Sequence, residues 1–370
     1  MKGLDGLRGL ACLSVVCFHF FNNTFGNIIP FFNNIIFRFL FDGPLAISVF
    51  FIISGDVLST AFITTEKREY ITRAVIKRYP RLVIPILFSA LLTYGMEHSG
   101  LLFNQEAGEI LHRTDWLGSW VTSPPSLTDV LRYSFYDVFK SGKIESLNPF
   151  LWTMHYEIMG SVLIFILLYF YSFSQPYAGL LLIFVFLSVL NPQEKISMYL
   201  FLFGHALCVL RHKGIMSRIN GTLFPNFLAS TAIIAMFFLS ILKPDFYFSG
   251  YFLFVKSVLF VMFIHCSNYL CTMMSRPLFN FLGNISFPLF LVQFHVLASF
   301  SSYFIVTRYT NHPTVVTAMM IAIASLFISI GAAILFWPTE AITKYICNLF
   351  YRIFERHVLK SSKKQLSVKT

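Results

Sequence analysis

The chain has 370 residues, 56% hydrophobic and only 12% charged, with a mean hydropathy of +0.69. Soluble globular domains carry about 25% charged residues, so the composition excludes one and predicts an all-α polytopic membrane protein. Lys and Arg outnumber Asp and Glu by 28 to 17, a net charge of +11, and where those cations fall decides whether they answer to a membrane or to nucleic acid.

Apolar runs of spanning length lie at 9–30, 44–63, 81–96, 158–174, 176–191, 196–211, 222–242, 250–270, 284–307 and 314–337, which predicts about ten transmembrane helices, some short enough to need burial or tilt. An even number places both termini on one side. That side receives Lys2, Arg8, the cluster from Lys67 to Arg81, then Arg211, Lys213, Arg218, Arg276 and the basic tail, while the other side is sparser in cations. Basic loops stay in the cytoplasm, so both termini are expected there. Topology thus accounts for the positive charge, and no nucleic-acid partner is needed. Residues 1–338 read as one membrane core with an external loop at 97–150, and 339–370 as a basic cytoplasmic tail. The six cysteines lie within or beside spans, which argues against a disulfide framework, and no spacing suggests a metal site.

In the first span, Leu4-Asp5-Gly6-Leu7-Arg8-Gly9-Leu10 precedes an apolar run ending in Cys17-Phe18-His19. No small-residue cleavage site follows it and His19 interrupts it, so it is expected to remain in the mature protein. On an α-helix the step from Arg8 to His19 turns through about 1,100°, close to three full turns, and rises roughly 16 Å. Both side chains are then expected on one face, the guanidinium at the water boundary and the imidazole deep in the hydrocarbon, where an ionisable group is costly and usually functional.

The second span is interrupted by Ser54-Gly55-Asp56. A glycine beside a polar pair lets another helix or a ligand approach, and Asp56 either contacts substrate or pairs with a histidine or a lysine in the bundle. Before the third span, Arg73, Lys77 and Arg81 line one helical stripe with Arg78 beside it. Such a stripe suits phosphates, and it also serves as the signal that keeps this loop cytoplasmic.

The loop 97–150 carries Glu97, Glu106, Glu109, Asp115, Asp129, Asp137 and Glu145. The rings of Trp116, Trp120, Tyr133, Tyr136 and Trp152 are of the kind that stacks on sugars, and equally of the kind that anchors helices at membrane interfaces. Where the chain re-enters the membrane, Asn148-Pro149-Phe150-Leu151-Trp152-Thr153-Met154-His155-Tyr156-Glu157 gathers an Asn, a Trp, a His and a Glu. On a helix His155 and Glu157 point to different sides. Further along, His205, Lys256 and His265 read as satisfied interior groups. The tail from Thr339 reads as an amphipathic helix, with Ile342, Ile346, Leu349, Phe350 and Ile353 on one side, lying on anionic lipid.

Taken in order, Leu4-Asp5-Gly6-Leu7-Arg8-Gly9-Leu10-Ala11 with His19, Phe50-Phe51-Ile52-Ile53-Ser54-Gly55, Arg78 and Arg81 before Pro85, Leu151-Trp152 with Glu157, and Leu282-Gly283-Asn284-Ile285-Ser286 with Leu289-Phe290-Leu291-Val292 resemble the acyltransferase-3 family of integral membrane O-acyltransferases. The resemblance covers nearly the whole chain, and the opening Arg, ten residues and His is its most specific mark. It implies a ten-helix core in the inner membrane of a bacterium. Such a core takes an acyl group, usually acetyl from cytoplasmic acetyl-CoA, and passes it to a hydroxyl on an extracytoplasmic glycan. Asp56, Ile158 and Gln293, with His295 nearby, depart from the family's usual residues. The hydrolase-like domain fused to many relatives is not expected, so a final transfer would use the core or a separate extracytoplasmic transferase.

The residues and the resemblance agree on a mechanism. Acyl-CoA has a highly charged nucleotide end and a thin arm ending in a thioester, which suits cations at the surface and a base deeper in. Arg8, Arg73, Lys77, Arg78 and Arg81 are the expected phosphate ligands. His19 is the expected general base or acyl acceptor, assisted by Glu157, with Ser54, Asp56, Trp152 and His155 on the acceptor, a glycan or lipid-linked sugar. The contrasting expectation is a secondary transporter or lipid-linked-sugar carrier with His19, Asp56 and His265 as proton relay, although no inverted repeat is apparent.

Overall fold

The computed structural model describes residues 2–140, 147–173, 175–219 and 250–359, together with isolated positions between 227 and 238. Its long helices are α1 (Lys2–Cys17), α2 (Gly43–Thr65), α3 (Arg68–His98), α4 (Thr153–Ser172), α5 (Pro192–His212), α6 (Gly250–Cys266), α7 (Pro277–Val296), α8 (Val315–Phe336) and α9 (Pro338–Phe354). No strand occurs among the described residues. Shorter helices cover Pro30–Asn33 and Ile35–Leu40, and Asn104–Ile110 and Leu127–Phe135 in the loop after α3.

Among the described residues, five helical stretches are long and apolar enough to cross a membrane, or six if the bent pair formed by α6 and Asn268–Met274 is one span. The expected ten are not all matched by described helices that meet this measure. The runs at 81–96 and 196–211 are helical, but α3 carries Arg73, Lys77, Arg78 and Arg81, and α5 carries Glu194, Lys195 and Arg211. The run at 176–191 forms only the 13-residue helix Pro176–Ser188. The expected 250–270 span breaks after Cys266, where the chain turns by 92° and Ser267 caps the next helix. The expected span at 222–242 and the tail's final lysines, Lys360, Lys363, Lys364 and Lys369, lie outside the described residues.

Two glycine contacts bring the helices of the core together. A Cβ on Gly9 of α1 would lie 2.5 Å from the Gly283 nitrogen of α7, and one on Gly283 would lie 2.2 Å from the Asp5 carbonyl oxygen. Likewise a Cβ on Gly55 of α2 would meet the Phe201 carbonyl at 2.1 Å, and one on Gly204 of α5 the Ile52 carbonyl at 2.0 Å. Apolar side chains gain little from each other in lipid, so close backbone approach at small residues is what binds such helices. Gly55 in the Ser-Gly-Asp interruption is thus a packing residue.

The first span does not stay α-helical. From Phe18 to Asn23 it becomes a π-helix, a rare geometry that widens the turn and shifts the phase of the residues it contains. His19 stands at its second position, so the rotation expected for an unbroken α-helix does not apply to it. The last helix, α9, follows α8 after the single residue Trp337 and packs along α3.

Candidate functional site

Two cavities flank the region where α1, α2, α3, α4 and α7 meet. The larger, a vestibule of about 830 Å³, is lined by His19, Trp116, Trp120, Phe150, Trp152, His155 and Glu194 among others. The smaller, about 180 Å³, is lined by Arg8, Ser54, Arg78, Arg81, Thr153 and Glu157, with Phe50, Phe51, Phe287 and Phe290 supplying apolar wall. Ile47 lines both. Arg8 and His19 therefore do not open into one common space; they belong to adjoining cavities that share a wall.

In the vestibule the His19 ring lies flat against Phe150, with centroids 4.0 Å apart and planes 8° from parallel, and Trp116 stands 6.0 Å away. Its Nδ1 meets the Asn23 side-chain amide at 3.1 Å. Asn23 comes one turn later in the π segment, and its backbone oxygen accepts from Arg113 of the external loop. Trp120 packs edge-on against Trp116 and Phe150. Of the loop aromatics, Trp116, Trp120, Tyr133 and Trp152 line the vestibule, whereas Tyr136 is exposed, with the Lys140 ammonium 4.1 Å above its ring.

His155 occupies the opposite part of this wall. Its Nδ1 lies 2.8 Å from the Phe139 carbonyl oxygen and its Nε2 lies 3.2 Å from Glu194 Oε1. A carbonyl only accepts, so Nδ1 must donate, and the contact with Glu194 then needs a second proton, on Nε2 or on the carboxyl. Glu194 is held in turn by the capping box that starts α5, where its other oxygen accepts from the Asn191 backbone N–H at 3.1 Å.

The smaller cavity is built around an ion pair. Glu157 accepts from Ser54 Oγ at 2.8 Å and from Arg78 Nη2 at 2.5 Å, while Arg78 Nε donates to Ser161 Oγ at 2.6 Å. Glu157 is thus paired with α3, on the other side of α4 from His155, and does not reach the imidazole of His19. Arg8 Nη2 donates to the Gly283 carbonyl at 2.6 Å, and Asp5 lies 3.9 Å from the same nitrogen. Two buried polar atoms of residues in this wall have no partner among the described residues, Arg8 Nε and Thr153 Oγ. A hydroxyl left unbonded away from water is costly, and such groups mark places where a ligand or water completes the bonding.

The predicted basic stripe divides. Arg81 and Arg78 line the smaller cavity. Arg73 and Lys77 do not; they lie over the Tyr351 ring of α9 at 5.5 and 5.2 Å, and Lys77 Nζ donates to Asn348 Oδ1 at 2.5 Å. Asp56 lines neither cavity, since both its oxygens accept from Arg211 at 2.6 Å. Of the other polar groups at membrane depth, His205 bonds Ser59, Lys256 pairs with Asp42, and His265 Nδ1 donates to the Val261 carbonyl. The relay of His19, Asp56 and His265 is therefore dispersed among separate partners.

Sequence reasoning missed Asn23, Thr153, Glu194 and Glu340, all in cavity walls or beside their key residues. Asn23 stands four residues after His19, a spacing that signals contact on a helix, and Asn191 followed three residues later by Glu194 has the pattern of a capping box. Nothing local marks Glu340.

The family model described as an acyltransferase domain matches residues 1–337. No curated protein and no solved structure matches the chain. With nine-tenths of its length matched in this way, and with the Arg8 and His19 pair placed in adjoining cavities of a helical membrane core, the chain belongs to the acyltransferase-3 family of membrane acyltransferases.

Proposed function

We propose that this protein is an O-acetyltransferase, moving acetyl from acetyl-CoA held at the Arg8, Arg78 and Arg81 cavity to a hydroxyl of a glycan or lipid-linked sugar in the vestibule. The reading rests on one observation above all: a narrow cavity bearing three guanidiniums abuts, at Ile47, a wide one bearing an imidazole among aromatic rings. Guanidiniums grip phosphates through charge-assisted hydrogen bonds, and flat rings give a sugar an apolar face to lie on. A cavity of about 180 Å³ suits the thin arm of the donor, whose nucleotide stays at the mouth beside Arg81.

Asn23 Nδ2 stands 3.1 Å from His19 Nδ1; in this mechanism the amide is flipped, so that its oxygen accepts Nδ1–H and the Nε2 lone pair is left as the base. Nε2 removes the proton from the acceptor hydroxyl as its oxygen attacks the thioester carbonyl. The carbon–sulfur bond then breaks, and the CoA thiolate takes the proton back from the imidazolium. Arg78 and Glu157 hold each other and the wall of the donor cavity, so Glu157 acts by positioning Arg78. The orientation that basic loops imply puts donor and Arg8 on the cytoplasmic side and the acceptor outside.

Membranes supplied with labelled acetyl-CoA test this. The wild type is expected to pass label to glycan, and His19→Ala to lose the transfer while still binding CoA. Uptake of a lipid-linked sugar without any covalent label would overturn the proposal in favour of a carrier. Comparing surface glycans by mass in cells with and without the protein then identifies the acceptor, through the loss of one acetyl group per modified residue.

A further inference from the structure

The tail helix, expected on the membrane surface, also borders the smaller cavity. α9 buries Thr343 and Cys347 and engages Arg73 and Lys77 of α3. Its first turn places Glu340 in the wall of the cavity that Arg8, Arg78 and Arg81 also line. Among the described residues, Glu340 forms no ion pair. The other carboxylate in the same wall, Glu157, is already held by Arg78 and Ser54. Glu340 is therefore a carboxylate without a direct ion-pair partner among the described residues, in a wall that also carries three guanidiniums.

We propose that Glu340 is a residue of the donor site that sets how tightly the donor's phosphates are held, by opposing their charge. This rests on the reading that the smaller cavity takes acyl-CoA. The spent CoA carries the same phosphates as the donor, so the same repulsion speeds its departure, and substrate affinity is traded for product release. A unit charge roughly 8 Å from a phosphate, at an effective dielectric between those of water and of a protein surface, changes affinity about fivefold, and the effect fades as salt shortens the Debye length.

The test uses the full chain in proteoliposomes, with acetyl-CoA as donor and CoA as competing product. Glu340→Gln, nearly the same in shape, is expected to lower both the KM for acetyl-CoA and the inhibition constant of CoA about fivefold at low salt, with the gap closing as salt rises. Glu340→Lys is expected to go further in the same direction, which keeps the sign readable if one variant folds poorly. Glu355→Gln, just past the end of α9 and off the cavity wall, is expected to change neither constant. A KM for Glu340→Gln that rises, or that stays at the wild-type value at both salts, overturns the role of Glu340. The donor site itself is tested by Arg81→Ala. If CoA does not bind the wild type, or binds Arg81→Ala as tightly as the wild type, the underlying reading fails; if Arg81→Ala weakens CoA binding but Glu340→Gln does not tighten it, Glu340 alone is excluded.

Discussion

Thr153 shows at the scale of one residue how stability and binding are set against each other. It begins α4, its side chain is 4% exposed, and its hydroxyl has no partner. A buried donor without an acceptor costs about 1–3 kcal/mol, a penalty that disappears when the hydroxyl becomes a methyl of the same shape. Thr153→Val is therefore expected to stabilise the empty protein by about 1 kcal/mol and to weaken acetyl-CoA binding several-fold, because the group awaiting a partner has gone. Thr153→Ser is expected to keep the affinity. Thermal unfolding with and without acetyl-CoA reads both effects: a variant that is less stable when empty, or that binds the donor as well as the wild type does, would contradict this account. The sequence showed Thr153 only as one letter between Trp152 and Met154. Whether a hydroxyl is satisfied depends on neighbours from other helices, and no local pattern encodes that.

At the scale of the element, α1 shows which features a sequence carries and which it hides. Its apolar run and the Arg8 to His19 spacing are visible directly. The change to a π-helix at Phe18 is not, because the residues from Phe18 to Asn23 bear no signal that separates a wide turn from an ordinary one. A shared face did not become a shared cavity, because the two side chains open into cavities that meet at Ile47. The basic stripe of α3 has a similar history. Its spacing was legible, but α9, arriving from the far end of the chain, takes Arg73 and Lys77 and leaves Arg78 and Arg81 at the cavity. Glycines give the sharpest test at this scale. Gly9→Ala puts a methyl 2.5 Å from a backbone nitrogen of α7, where nothing can swing aside, so α1 and α7 must part. A loss of about 3 kcal/mol is expected, with activity falling in step as Arg8 leaves its bond to Gly283. Gly331→Ala in α8 meets nothing within 4 Å and is expected to be neutral in the same unfolding assay, so equal behaviour of the two variants would refute the crossing as a constraint.

For the whole molecule, the question is how chemistry passes between two cavities that the fold keeps apart. Membrane character and family were legible in composition and in motifs spread from Leu4 to Val292, because both depend on many residues at once. The division of the site was not, since it depends on where Ile47 of α2 falls when five helices converge. Ile47 lines both cavities and is only partly buried, so on the proposed reaction the donor's arm and the acceptor's hydroxyl would meet beside it. Widening that side chain blocks the meeting without touching either cation or base. Ile47→Trp is expected to cut acetyl transfer about 100-fold, the scale on which misplaced reactants lose rate, and to weaken CoA binding far less, since it removes neither Arg8 nor Arg81. Ile47→Ala, which opens the wall, is expected to keep transfer and to raise the hydrolysis of acetyl-CoA by water entering from the vestibule. Transfer that survives Ile47→Trp unchanged would mean that donor and acceptor meet by another route, and that the contact between the two cavities at this residue has no part in the reaction.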